Sequence, residues 1–479
     1  MLTATIIAVF LVGIILSCIY IIYEHNSPSA TLAWLLSMIF LPFIGLAAYL
    51  VLGRRRVDMR IKLLRAIRDG VGDIRGKLEF HESFNSVVKS GGCAKKYEDL
   101  MRLAYKFPGL PPTLGNSIKV LKDADASYPE IFRSIRDAKE HIHAMYYIIE
   151  PDEAGRRFRD ALTEKAKEGV EVRLLYDDIG SIGTKLSFFK PLIDAGGIVK
   201  EYRPVHFARL RTLYANFRNH RKILVVDGRT AHTGGINIGD EYLGKDPELG
   251  YWRDTNIEIT GPAASHLQLI FAEDWYYVTG ELLTKAYVKP PPLGVEGGGV
   301  VQIVPSGPDR TRNQIAHLYF TAITSARKRL FITTPYFVPD ESVQTAIIAA
   351  CLRGVDVRLL VPRIYDKKII KYASHSYYRE LLEVGCRIFE YKKGFVHSKT
   401  MSVDGELAIV GTANMDIRSF RLNFEVCAVC YCGETARLMD EQFMADLEDS
   451  EAIRMKSFRK RPGADIFLEN VARLTSSLL

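Results

Sequence analysis

The pattern His-x-Lys-x-x-x-x-Asp occurs twice in this chain of 479 residues, as His220, Lys222, Asp227 and again as His397, Lys399, Asp404. Each copy is followed after six residues by Gly-x-x-Asn, which ends at Asn237 and at Asn414. The surroundings repeat with the motif and in one order: IHAMYYIIEPD (142–152) matches LFITTPYFVPD (330–340), GVEVRLL (169–175) matches GVDVRLL (354–360), and Glu201-Tyr202 matches Glu390-Tyr391. A repeat of this length signals duplicated structural units. The chain must therefore fold into two similar halves, and two like half-sites imply one composite site. The first half carries twelve residues more between Tyr202 and His220 than the second has between Tyr391 and His397. That insertion, RPVHFARLRTLYANFRN (203–219), is basic and aromatic.

Short apolar runs such as EVRLLYD and DVRLLVP alternate with helical patterns such as PEIFRSIRDAKEHI, so each half reads as α/β with a largely parallel sheet. The length allows two cores of about 150 to 200 residues each. KPPPLGVEGGG, with three prolines and four glycines, marks the linker between halves. The expected organisation is an N-terminal hairpin over 1–53, a basic connector over 54–110, one domain over 111–288, the linker at 289–299 and a second domain over 300–479.

Leu2–Tyr23 and Ala30–Leu52 each exceed twenty residues without a charged side chain, which suits two helices across a bilayer core of about 30 Å. A secretory signal is the competing reading, but MLTATI lacks its basic start and a second apolar span follows at once. Arg54, Arg55, Arg56, Arg60, Lys62, Arg65 and Arg68 crowd behind the second span, while the turn EHNSPS holds neither Lys nor Arg. The positive-inside rule then puts both ends of the hairpin, and the two domains, in the cytoplasm.

Seven cysteines at irregular spacing suit a cytoplasmic enzyme rather than a disulfide framework. Cys427, Cys430 and Cys432 lie in FEVCAVCYC, which reads as a buried strand, and no metal site is expected. The tail FLENVARLTSSLL reads as an amphipathic helix, packed on the body or lying on a membrane.

On a strand, His and Lys two residues apart share one face. The pair presents a nucleophile beside a cation. Asp227-Gly228 and Asp404-Gly405 carry a strong hairpin signal, so these aspartates serve either the chemistry or the turn. The returning strand delivers Gly234-Gly235-Ile236-Asn237 or Gly411-Thr412-Ala413-Asn414, where small residues let backbone approach a ligand and the amide donates. Two Lys and two Asn surround one phosphate in this reading. The set suits phosphodiester exchange without metal or cofactor: one imidazole attacks phosphorus, the other protonates the leaving oxygen, and the cations and amides stabilise the equatorial oxygens. A carboxylate should orient each imidazole, and the repeat alignment offers Asp254 in YWRDT and Glu425 in LNFEV.

With these motifs in place, the chain resembles the phospholipase D superfamily. Within it, SPSATLAWLLSMIFLPFIGLAAYLVLG, GGINIGDEYLG, YWRDT, TTPYFVPD and GTANMDIRSFRLNFEV resemble the bacterial cardiolipin synthases. The resemblance implies two tandem phospholipase D-like α/β domains sharing an active site at their interface, behind a transmembrane hairpin in the bacterial cell membrane. It implies transfer of a phosphatidyl group between two phosphatidylglycerol molecules, giving cardiolipin and glycerol, with no cofactor and no metal. It also implies His220 as nucleophile and His397 as acid and base, with Lys222, Lys399, Asn237 and Asn414 binding the phosphate and Asp227 and Asp404 in the signature. The residues alone leave the order of the two histidines open. Asn256 and Phe458 depart from the His and Trp that the resemblance leads one to expect.

The partners implied are phosphatidylglycerol and other membrane phospholipids. Arg209, Arg211, Tyr214, Phe217 and Arg218 are candidates for a headgroup entrance, against a plain exposed loop. The alternative within the same chemistry is a membrane-anchored phospholipase D or phosphodiesterase that gives the intermediate to water. A nuclease is disfavoured because the basic residues cluster beside the apolar spans, without an aromatic-basic stripe for single strands. A noncatalytic scaffold would have lost a His or Lys, and neither motif has. Oligomeric state is not written in the sequence.

Overall fold

A computed structural model describes residues 2–23, 28–52, 83–89, 92–106, 110–202, 217–283, 298–310 and 313–476. The basic cluster from Arg54 to Arg68, the insertion residues Arg209, Arg211 and Tyr214, and the linker residues 289–297 lie outside it.

The N-terminal unit contains helices Leu2–Tyr23, Pro28–Phe40 and Pro42–Leu52. The second apolar span, expected as one helix, is interrupted at Leu41, because Pro42 offers no amide hydrogen and its ring crowds the preceding turn. Phe10 stacks on Phe43 at 4.3 Å, and Ile21, Met38 and Tyr49 are buried together. The side chains of 2–9 and 51–52 fall outside the description, and among the described residues no helix is long and apolar enough to cross a membrane.

The remaining residues build an α/β body on one 15-stranded sheet. In the first half the strands run Ile198–Tyr202, Glu171–Asp177, His141–Tyr146, Ile223–Val226, Thr230–Gly234, Thr255–Thr260, Thr113–Lys122. The second half continues with Gly299–Ser306, Glu425–Cys430, Leu407–Gly411, Thr400–Val403, Arg329–Thr333, Asp356–Pro362, Arg387–Tyr391 and an edge strand Ser450–Ala452. The second run thus repeats the first outward from the centre. The halves join where Thr113 and Asn116 pair antiparallel with Val301 and Gly299, so the expected linker ends one residue sooner, with Gly299 already in a strand.

The sheet is mixed rather than largely parallel. Only the three strands linked by helical crossovers pair in parallel in each half, and the edge strand Ser450–Ala452 adds to the second set antiparallel. Each motif strand instead returns through a tight Asp-Gly turn, and such a turn makes an antiparallel hairpin. In those turns Asp227 and Gly228 have φ of 53° and 65°, and Asp404 and Gly405 have 55° and 70°. The crossovers also repeat in detail. Asp152 caps helix Glu153–Lys167 by accepting from the Gly155 amide at 2.9 Å, and its counterpart Asp340 caps Glu341–Leu352 through Val343 at 3.0 Å.

Each half has its own apolar core. One gathers Ile142, Phe158, Leu174 and Leu224, and the other Ile332, Leu359, Tyr378 and Ile409. The stretch read as a basic connector adds helices Ser83–Lys89, Gly92–Lys96 and Glu98–Lys106, whose Val87, Leu100 and Met101 are buried in the core of the second half. Gln302 fastens that stretch by donating to the carbonyl of Leu110 at 3.0 Å.

Candidate active site

The two motifs are drawn together by backbone pairing across the halves. The amide of His220 donates to the carbonyl of Phe424 at 2.9 Å, and that of His397 to the carbonyl of Arg253 at 2.7 Å. The segments just before the histidines add strand pairs: Asn219 bridges Phe424, and Gly394–Val396 runs parallel to Tyr251–Arg253. Each histidine therefore lies beside the segment of the other half that carries a carboxylate. His220 Nδ1 lies 3.0 Å from both oxygens of Glu425, and His397 Nδ1 lies 2.7 Å from Asp254 Oδ2. A proton held on Nδ1 leaves the Nε2 lone pair for chemistry.

All six of these groups, His220, Lys222, Asp254, His397, Lys399 and Glu425, are buried. Burial drives the His220 imidazole down to about 4 and that of His397 to about 3, against the attraction of their carboxylates. Lys399 contributes to the depression of His220 and Lys222 to that of His397, so the half-sites share one electrostatic field. Burial likewise holds Lys222 well below the usual lysine value and brings Lys399 to about 8. Glu425 and Asp254 stay below the ordinary carboxylate range despite burial, because His220 and Lys222 face the first, and Lys399 and His397 the second. Each lysine ammonium reaches back to the carbonyl of its own motif histidine, over 2.8 Å for Lys222. The His-Lys spacing thus works just ahead of the strand, which starts at Ile223 in the first half and at Thr400 in the second.

The carboxylates are themselves held. Glu425 accepts from the Thr412 hydroxyl at 2.5 Å and from the Asn423 amide at 3.3 Å. Asp254 Oδ1 accepts from the Thr255 amide at 2.7 Å. The residue matching Thr412 is Gly235, where a Cβ would stand 2.0 Å from Asp254 Oδ1. The difference between GGIN and GTAN thus fits two carboxylates of unequal length.

The two asparagines differ in their surroundings. Asn237 Oδ1 accepts from the Ile148 amide at 3.1 Å, and its amide donates to the Tyr242 hydroxyl. Asn414 Oδ1 is buried with no hydrogen-bond partner among the described residues, while its side chain is bonded to Asp416.

Aspartates 227 and 404 stand elsewhere, and their placement with the catalytic groups needs correction. Asp227 accepts from the amides of Lys139, Glu140 and His141 at 2.8–3.0 Å. Asp404 does the same for Arg327, Lys328 and Arg329 at 2.7–3.1 Å. Both lie at the far end of their strand, roughly 20 Å from the histidine at about 3.3 Å per residue. Each carboxylate holds three successive amides of the neighbouring strand's start, and Asp404 also meets the Lys96 ammonium at 3.4 Å, which is the work of a fold residue. Of the candidate entrance residues, Arg218 is buried and paired with Asp178 at 3.2 Å, and Phe217 is buried as well, while Arg209, Arg211 and Tyr214 lie outside the described residues.

Sequence reasoning missed the aromatic walls. Tyr147 stands edge-on to His220 at 4.8 Å between centroids, and Lys222 Nζ lies 5.2 Å from the same ring. His397 is ringed by Trp252 at 5.3 Å, Phe395 at 5.7 Å and Tyr242 at 6.1 Å. Tyr147 and Trp252 sit inside strings that the repeat had already singled out. Nothing in those strings tells a wall residue from a core residue.

The family model for the cardiolipin synthase, phospholipase D-like domain matches residues 131–275 and 319–447, more than half of the chain. Cardiolipin synthases from Geobacillus thermodenitrificans and Alkalihalophilus pseudofirmus are 44% and 42% identical to it, over 95% and 99% of this chain and 90% and 94% of theirs. The chain belongs to the cardiolipin synthase family. A second model, phospholipase D-nuclease N-terminal, matches residues 6–54. The phosphatidylserine synthase structure from Haemophilus influenzae aligns with TM-score 0.59 and 18% identity, over 80% of this chain and all of that one, which shows a shared fold. Both halves of this cardiolipin synthase family member carry a full His-Lys pair and a buried carboxylate, so neither half-site has decayed.

Proposed function

We propose that the chain is a phosphatidyltransferase that makes cardiolipin from two molecules of phosphatidylglycerol. The observation that carries this reading is the crossed pair of carboxylate-bound histidines flanked by Lys222 and Lys399, in a chain of the cardiolipin synthase family. His220 Nε2 attacks phosphorus and the bond to the glycerol oxygen breaks, while His397 gives that oxygen its proton. The hydroxyl of a second phosphatidylglycerol then attacks the phosphatidyl-histidine, His397 takes its proton, and the phosphorus–nitrogen bond breaks. Neutral imidazole, which burial favours at both positions, is the form a nucleophile needs. The negative phosphodiester and Asp254 together favour the protonated form of His397 once substrate docks.

Lys222 and Lys399 neutralise the equatorial oxygens, and the Asn237 and Asn414 amides reach the same oxygens by exchanging their present partners. The match of residues 6–54 to the N-terminal family model and the basic stretch from Arg54 to Arg68 support an anchor in the bacterial cell membrane with the body on the cytoplasmic face. Such an anchor keeps the site next to its lipid substrate.

Purified full-length enzyme given labelled phosphatidylglycerol tests the reading. Cardiolipin and glycerol in equal amounts are expected, with His220→Ala and His397→Ala both inactive. Phosphatidic acid with glycerol as the main products would replace transfer by hydrolysis, and full activity in either variant would end the shared-site mechanism.

A further inference from the structure

We propose that the C-terminal segment 455–474 is a docking site for the anionic surface of a phospholipid bilayer, separate from the site of phosphatidyl transfer. Helix Gly463–Leu474 packs against helix Lys368–Glu383 and presents Glu469 and Ala472 to that neighbour, both buried. Its outward face is apolar: Phe467 is 66% exposed, Leu468 43%, Val471 43% and Leu474 83%. At 100° per residue these four fall within about 120° of the helix circumference, opposite the buried pair. A helix on a soluble surface turns its apolar stripe inward. This one is inverted. A contiguous apolar stripe rimmed by charge marks a contact surface, and basic charge around such a stripe suits an anionic lipid interface.

The rim is basic. From residue 454 to the end, Arg454, Lys456, Arg459, Lys460, Arg461 and Arg473 stand against Asp465 and Glu469 only. On the next face of the helix lies a cavity of about 470 Å³ lined by four arginines, Arg379, Arg459, Arg461 and Arg473, against two carboxylates, Glu380 and Glu469. Arg459 and Arg379 share Glu383 at 3.2 and 3.1 Å, and Arg473 meets Glu380 at 3.1 Å. Those are exposed pairs, worth little in water, so a lipid phosphate can take their place. Arg461 lies against the buried Phe458 ring, its guanidinium 3.3 Å from the centroid, and is paired with the buried Glu469, so the cations free to meet a headgroup are those of the exposed pairs. A phosphate headgroup in the cavity leaves its acyl chains beside Phe467, Val471 and Leu474. The segment also lies beyond residue 447, where the family model match ends.

The test uses full-length protein carrying His220→Ala, so that lipid is not consumed and the readout is independent of the assigned reaction. The photoreactive p-benzoylphenylalanine is placed at position 467, and for comparison at the exposed position 352 on another helix. The protein is reconstituted in vesicles of phosphatidylcholine with or without phosphatidylglycerol. Irradiation is expected to give phospholipid adducts from position 467, several-fold above position 352, in the anionic vesicles. Arg459→Glu with Lys460→Glu is expected to reduce those adducts several-fold. Adducts no more frequent than at position 352, or equally frequent in neutral vesicles, would overturn the proposal. Crosslinked dimer in place of lipid adduct would overturn it too, by making the stripe an interface between copies.

Discussion

His220 of the first repeat is bonded through Nδ1 to Glu425 of the second, 205 residues away, with both carboxylate oxygens at 3.0 Å. His397 and Asp254 make the reciprocal bond at 2.7 Å. Neither half-site is complete on its own.

Glu425→Gln keeps the size of the side chain and removes the charge that favours Nδ1–H on His220. The expected loss is on the order of 10²- to 10⁴-fold in kcat, as for other carboxylate-oriented imidazoles. The double variant with His220→Ala should be no slower than His220→Ala alone, because residues that act as a unit are not additive. Steady-state rates on phosphatidylglycerol micelles check this, and additive losses would separate the two residues.

Gly235→Ala places a methyl where Asp254 Oδ1 stands, with 2.0 Å between centres. The carboxylate must move off His397, and roughly 10²-fold of kcat should go with it by loss of general acid and base efficiency. Wild-type kcat in a folded variant would show that Asp254 does not have to stay in place.

Asp227→Ala leaves three backbone amides without their acceptor and puts alanine at φ of 53°. The cost is about 2–4 kcal/mol of stability, from unsatisfied amides and left-handed backbone. The folded fraction should keep kcat within about threefold, since the carboxylate lies far down the strand from the histidine. Thermal unfolding together with active-site titration separates the two effects, and unchanged stability with lost kcat would return Asp227 to the chemistry.

The pH profile follows from burial. The nucleophile His220, pushed to about 4, stays neutral throughout the mildly acidic range, so the acid limb of kcat/KM, which reports the free enzyme, should come only toward pH 4. The alkaline limb starts with loss of the proton His397 must carry and of the charge on Lys222, which burial holds well below the usual lysine value, and its upper part belongs to Lys399, brought to about 8. Lys399→Arg keeps the charge at every working pH and should move that part of the limb upward, whatever its effect on the maximum. An acid limb near 6.5, or an alkaline limb unmoved in Lys399→Arg, would contradict these assignments.

Much of the site was legible early because duplication makes position informative. The paired motifs, the Gly-x-x-Asn strings and the two carboxylates align without coordinates. The turn role of Asp227 and Asp404 was also visible in Asp-Gly, but a turn residue and a catalytic one have the same composition. Strand direction was misread, because βα alternation is stronger in sequence than the short hairpins through Gly228 and Gly405. Helices 83–106 looked like a connector, since an amphipathic pattern does not name the core it joins.

The sequence by itself determined that there are two α/β halves, that each supplies a histidine and a lysine, and that a carboxylate stands ready in each. Only the tertiary structure decided that the carboxylates serve the opposite halves. Local pattern carries the chemistry of each segment, but the partner of a side chain depends on which backbones pair. Here the motif segments of one half pair with segments of the other, through His220 with Phe424 and His397 with Arg253.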